Sequence, residues 1–309
     1  MKLALAGDTM LGRGVAERLE TAPPASLFAP EVVAAVAEAD LCILNLECCI
    51  SARGKPMPGR VFHFRAPPWA TQALTHLGVD CVTLANNHAL DFGEDALLDT
   101  LAHLDAAGIR VVGAGSDVER ARAPSFLEHD GFRLAVVACS DHPAEYAAGE
   151  DRPGIAYADL REGLPEWLPD LPQADAVLLT PHWGPNMTAE PVPHVRAAAD
   201  ALLAAGATLV AGHSAHVFHG AAPRVLYDLG DFLDDYAVDP RLRNDLGLLF
   251  LVELAGDRLE AIPLKLEFAH TRVATGDDAR WIRDRFTRAC AQLGTEVTEE
   301  DGRLVLPWR

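Results

Sequence analysis

The chain has 309 residues, of which 50% are hydrophobic, 23% charged and only 6% aromatic. That length accommodates one or two ordinary domains and buries a large core without needing disulfides or metals to hold it. Lys and Arg number 26 against 45 Asp and Glu, a net charge of −19. This disfavours the counterion release that drives nucleic-acid binding, and equally disfavours docking on anionic lipid. An anionic substrate would need local cations against this field, a bound metal foremost.

The N-terminal run Leu3–Gly7 predicts a strand. Its apolar part is too short for a signal segment, and no later stretch approaches the ~18 apolar residues that span a bilayer. The expectation is a cytoplasmic protein with no membrane anchor. Further strands are predicted at Leu41–Leu46, Cys81–Ala85, Arg110–Gly113, Leu134–Ala138, Ala176–Thr180, Thr208–Ala211, Arg224–Leu229, Leu248–Leu254 and Leu259–Leu266. Most lack period-two alternation, as strands buried on both faces do. Helical spacing of Ala96, Leu97, Leu101, Leu104 and Ala107 ends at Gly108, and an Ala/Leu-rich helix over Val195–Ala205 ends at Gly206. Such alternation predicts a layered α/β architecture.

Val225, Phe250 and Ile262 sit in consecutive strand-like segments with short polar turns, including Gly256-Asp257, so the late part of the sheet is predicted to be antiparallel. Ile282, Phe286, Ala289, Cys290 and Leu293 mark one more amphipathic helix, and Glu300-Asp301-Gly302 a final turn. No internal repeat or linker is visible. The expectation is one domain over residues 1–309, with a helix-hairpin extension from about 270. None of the six cysteines forms a C-x-x-C, and the adjacent Cys48-Cys49 pair would make a strained bridge, so all are read as buried thiols.

The chemistry lies at the strand ends. Gly7-Asp8-Thr9 follows the first strand, Asn45-Leu46-Glu47 ends the second, and Asn86-Asn87-His88 follows the third. Pro181-His182-Trp183-Gly184 and Gly212-His213-Ser214-Ala215-His216 follow two later ones. Singly, Asp8 can cap a helix, Asn87 can be a turn residue and His182 a core histidine. Together, five strands deliver Asp, Glu, Asn or His at their carboxyl ends, where α/β sheets bind ligands. That donor mixture suits a hard or borderline divalent cation.

Gly7-Asp8-Thr9-Met10-Leu11-Gly12-Arg13, Asn45-Leu46-Glu47, Ala85-Asn86-Asn87-His88-Ala89-Leu90-Asp91-Phe92-Gly93, His182-Trp183-Gly184, Gly212-His213-Ser214-Ala215-His216-Val217 and Tyr227-Asp228-Leu229-Gly230-Asp231-Phe232 resemble, in order, the bacterial capsule-synthesis CapA (poly-γ-glutamate) family. That family is related to the calcineurin-like metallophosphoesterases, and the resemblance covers about residues 1–255. It implies a four-layer αββα sandwich with mixed sheets and a site for two divalent metal ions (Mn, Fe or Zn). Asp8 would ligate the first metal, Glu47 would stand at the bridging position, Asn87, His182 and His213 would serve the second metal, and His216 would complete the first. His88 would stand near the leaving group; the spacing of Asp91 suggests that it orients His88. The Leu229–Leu233 stretch is read as a structural turn near the site. Met10 stands where the superfamily has the histidine of Asp-x-His, and Pro185-Asn186 follows His-Trp-Gly where many members have an acidic residue.

The implied function is metal-dependent hydrolysis of an anionic substrate, a phosphate ester or a poly-γ-glutamate-related amide. Arg13, Lys55 and Arg65, in or near Gly- and Pro-containing loops, are candidate substrate cations, with solvated surface charge as their plainer reading. The alternative is a non-hydrolytic accessory protein of capsule biosynthesis that binds the polymer or its synthase. Possible partners are therefore the substrate and capsule-synthesis proteins.

Overall fold

The computed structural model describes residues 1–168 and 171–309. Strands β1 (Lys2–Thr9), β2 (Leu41–Leu46), β3 (Cys81–Thr83) and β4 (Arg110–Val112) pair in parallel in that order. Helices α1 (Arg13–Thr21), α2 (Pro30–Val36), α3 (Thr71–Leu77) and α4 (Glu94–Ala106) lie between them in the chain. A second sheet follows. It opens with a hairpin of β5 (Ser125–His129) and β6 (Phe132–Ser140), then adds β7 (Ala176–His182), β8 (Leu209–Ala211) and β9 (Val225–Leu226) in parallel. Helix α5 (Pro193–Ala204) joins β7 to β8.

The chain then returns to the first sheet. The short β10 (Asp231–Leu233) pairs parallel with the end of β1, and β11 (Leu246–Glu253) pairs antiparallel with its start. An antiparallel hairpin carries β11 into β12 (Leu259–Glu267). Phe250 and Ile262 are therefore antiparallel neighbours in this sheet, as expected. Val225 is not: it lies in the second sheet, parallel to Val210. The apolar run reads the same in either sheet, so composition could not assign it.

Three cores account for the layers. Ala4, Ala6, Cys42 and Leu44 pack against Val15, Val32, Leu74 and Leu97 of the first helical layer. Their strand neighbours Leu3, Leu5, Leu41 and Ile43 point the other way, onto Leu134, Val136, Leu178 and Leu209 of the second sheet. On that sheet's far side, Ala135, Val137 and Leu179 meet Val195, Ala198 and Leu202 of α5. The architecture is a four-layer αββα sandwich with mixed sheets. Alternate side chains enter two different dry layers, which explains the missing polar alternation.

The last helix, α6 (Gly276–Gln292), sends Ile282, Phe286 and Cys290 into the core between the sheets. The final hairpin, β13 (Thr298–Glu300) and β14 (Arg303–Leu306), joins the edge of the first sheet through β12. The segment beyond 270 thus completes this sheet and its core. All six cysteines are buried and free. Among the described residues no helix is long and apolar enough to cross a membrane.

Candidate metal centre

The carboxyl ends of β1, β2 and β3 face those of β7 and β8. A register shift after Ala6 sets Asp8 opposite Asn45, whose Nδ2 donates to Asp8 Oδ1 at 2.7 Å. Asn45 Oδ1 in turn accepts from Thr83 Oγ1 at 2.7 Å and Asn86 Nδ2 at 3.0 Å. One amide thus ties three strand ends together. Gly7 is required here, since a Cβ would run into the Gly230 carbonyl. Across the gap, His213 N donates to Pro181 O at 3.1 Å and Trp183 N to His213 O at 3.0 Å, so pairing continues past the strands and sets His182 beside His213. Gly212 leaves room for the Trp183 indole, which donates to Tyr227 O at 2.8 Å.

Five of the expected ligands converge. Asp8, His182 and His213 form one group of donor atoms within 4.8 Å of one another, and Asp8, Glu47 and His216 form a second. Asp8 is common to both. Glu47 also straddles them, with Oε1 3.5 Å from His182 Nε2 and Oε2 4.0 Å from His216 Nδ1. Asn87 Oδ1 is buried without a hydrogen-bond partner. All the carboxylates and imidazoles of the two groups are buried. The loop that carries two of them is held in uncommon backbone states, with φ of 121° at Ser214 and 58° at His216. Such states cost ~1–3 kcal/mol each and cluster at functional sites.

The electrostatics fit a cation. Asp8, Glu47, Asp228 and Asp231 are buried together, yet among the described residues no Lys or Arg forms an ion pair with any of them. Both Glu47 oxygens and Asp231 Oδ2 lack any hydrogen-bond partner. Burial, and then the charge of Asp8, pushes the Glu47 carboxyl far above its ordinary pKa. Burial likewise drives His182 well below its ordinary value and His213 down to about 4, so both rings are neutral and each carries a lone pair. His182 Nδ1 and His213 Nδ1 lie 2.7 Å apart, a contact in which one ring N–H donates to the other. Burial would also lower His216, but Asp231 and Glu47 outweigh it and raise this ring well above its ordinary value. Buried carboxyl oxygens without partners, next to the neutral imidazoles of His182 and His213, are the donor set a divalent N/O-ligated metal takes as it displaces their protons.

His88 Nδ1 lies 2.7 Å from Asp91 Oδ2, which also accepts from Phe64 N at 2.7 Å. The three candidate cations separate. Arg13 lines a cavity shared with His88 and His216. Lys55 lines a different cavity beside Phe92 and Glu94. Arg65 stacks its guanidinium 4.2 Å from the Phe92 ring centroid and donates to Arg53 O. The structure therefore sets Lys55 and Arg65 beside Phe92, away from the two donor groups; Arg65 lies in a short strand, Arg65–Ala66, paired with Cys49–Ile50. Met10 is buried, and its sulfur accepts from Gly12 N at 2.9 Å.

The chain matches the family model described as bacterial capsule synthesis protein PGA_cap over residues 2–236. It belongs to that family. Every donor named above lies within the matched span. A Mycobacterium tuberculosis relative named a probable polyglutamine synthesis accessory protein is 32% identical over 292 residues, covering 86% of this chain and 76% of that protein. The Bacillus subtilis PGA biosynthesis protein CapA is 25% identical over 279 residues, 87% of this chain and 72% of that one. A crystal structure of a hypothetical protein from Thermus thermophilus aligns over 88% of this chain and 96% of its own, with a TM-score of 0.47 and 19% identity.

Two features beyond the expected residues adjoin the candidate centre. Asp231, read as part of a turn, is the first residue of β10 and lies 2.8 Å from His216 Nδ1. Asp141 and His142, at the end of β6, form a 2.5 Å pair, and the His142 ring lies 5.2 Å from that of His182. The signal for this pair was the same as elsewhere, acidic and imidazole residues directly after an apolar strand. Asp231 lay in a motif placed near the site, but its reading as a turn hid its role, since a residue that opens a three-residue strand shows no periodicity.

Proposed function

We propose that the chain is a metal-dependent hydrolase of the capsule-synthesis family, acting on an anionic ester, with a phosphate ester as the default. The observation that carries this reading is the buried Asp8–Glu47 pair: among the described residues the Glu47 oxygens have no hydrogen-bond partner and no Lys or Arg neutralises the pair. Asp8, Glu47, Asn87, His182, His213 and His216 would hold two divalent ions of the Mn, Fe or Zn type, which would supply positive charge opposite the substrate anion and acidify water in the site. Asp231 holds His216 in orientation through Nδ1. Asp91 accepts from His88 Nδ1, so His88 Nε2 is the atom that carries a proton to the leaving-group oxygen. Burial lowers the His88 pKa, and the Asp91 carboxylate opposes that shift.

Met10 favours a second reading, a non-hydrolytic accessory protein that binds poly-γ-glutamate or its synthase. Its sulfur is bonded to Gly12 N, and no imidazole stands at this position. Elemental analysis of the purified chain, with a phosphodiester and phosphomonoester assay under Mn(II), separates the two. Two ions per chain and turnover are expected; no metal and no turnover would leave the accessory role.

A further inference from the structure

Beside the metal-centre residues the surface opens into a cavity of about 360 Å³ with an aromatic wall. His88 and Phe64 lie 4.1 Å apart between ring centroids, and Phe64 and Tyr236 5.7 Å, each pair tilted by 31°. Tyr236 meets the His216 ring edge-on at 5.4 Å. The row of rings runs from the proton-carrying histidine to a metal-centre histidine. At the rim stands Phe62, 58% exposed, a large ring that the fold leaves uncovered.

The charge of this cavity is as telling as its shape. Arg13 is the only Lys or Arg lining it among the described residues. Its Nη2 and Nε donate to Asp235 at 2.6 and 3.1 Å, and its guanidinium carbon lies 5.3–5.7 Å from the centroids of Phe62, Phe64 and Tyr236. The one cation is thus already neutralised and packed. A second anionic group entering here would meet ring faces and the Asn186 and Asn244 amides, but no unpaired Lys or Arg among the described residues. A flat uncharged ring would stack.

We propose that this cavity is a recognition subsite for an uncharged planar ring, aryl or heteroaryl, attached to the leaving group of the anionic ester. The inference rests on the hydrolase reading only in taking the anionic group to sit at the metal centre. Calorimetry on the full chain with Mn(II) present, using benzylphosphonate and cyclohexylmethylphosphonate, tests it. The two ligands match in size and charge, and neither is hydrolysed. Benzylphosphonate is expected to bind roughly 3–10-fold more tightly, the size of a stacking preference. Phe62→Ala should bring the two affinities together, and Phe62→Tyr should keep them apart. Equal affinities in the unmodified chain, or no binding of either, overturn the subsite. So does a γ-glutamyl trimer that displaces benzylphosphonate at lower concentration. Selective benzylphosphonate binding without turnover of benzyl phosphate supports the subsite and removes the hydrolase reading, so the two fail separately.

Discussion

The two sheets contribute to the centre in chemically opposite ways. The first supplies oxygen donors, Asp8, Glu47 and Asn87, and the second supplies nitrogen donors, His182, His213 and His216. Burial pushes Glu47, His182 and His213 toward neutrality, but the consequences differ. A neutral imidazole such as His182 or His213 already has a free lone pair for a metal. A protonated Glu47 does not offer its charge, so it needs a cation to reach its binding form. His216 and Asp8 are the exceptions: against burial, Asp231 and Glu47 raise the His216 ring, and His216 with Asn45 holds the Asp8 carboxyl below its ordinary value. His182 and His213 are thus preformed, whereas Glu47 waits for charge. The comparison also explains why Asp231 matters: it gives the second sheet's loop a carboxylate borrowed from the first.

The sharpest way to break this asymmetry is at the residue common to both donor groups. Asp8→Ala is expected to reduce bound metal to background in elemental analysis, while His213→Ala or His216→Ala removes only part of it. All three should keep the circular dichroism of the parent chain, because a core of this size does not require metal to fold. Wild-type metal content in Asp8→Ala would show that the oxygen half is not where the charge is needed.

Next in size is the pair that belongs to neither half. His88→Ala should keep its metal and lose ~10²–10⁴ in turnover, as expected for a lost general acid. The loss should be smallest on a nitrophenyl ester, whose leaving group needs little protonation. Rates on good and poor leaving groups, read with metal content, check this; a uniform loss across substrates sinks the assignment. Asn87→Ala should instead weaken metal and turnover together.

A smaller effect is expected for the borrowed carboxylate. Asp231→Asn should weaken metal affinity by about 10–100-fold, the usual cost of removing a partner that orients a ligand. Titration with Mn(II) would show it, and an unchanged affinity would make Asp231 a purely structural strand residue. Smallest of all is Lys55→Ala, expected to alter kcat/KM by no more than about twofold, the range of an ordinary surface change. A larger drop would return Lys55 to the substrate site.

Much of the centre could be read from local pattern. Asp8, Glu47, Asn87, His182, His213 and His216 each follow an apolar run, and a strand end in an α/β protein is where ligands gather. Asp141 and His142 carried that signal too, directly after Leu134–Ala138, and were passed over. Asp231 is harder, because a three-residue strand has no periodicity to display. Lys55 and Arg65 differ in kind: the residue type of a surface cation carries no indication of which way its side chain is directed.

What the amino-acid order determined by itself was ten of the strands, the helices over Glu94–Ala106, Pro193–Ala204 and Gly276–Gln292, and the residues at the strand ends, since these depend on neighbours within one turn or one pleat. It also determined that most of these strands are covered on both faces, because they carry no polar face; the four-layer arrangement came from the family resemblance. Only tertiary structure decided which sheet each late strand joined, as the separation of Val225 from Phe250 illustrates. It alone decided that Asp8 is shared by both donor groups and that Asp231 meets His216. Those contacts join residues far apart in the chain, and their distances follow from how two sheets pack face to face.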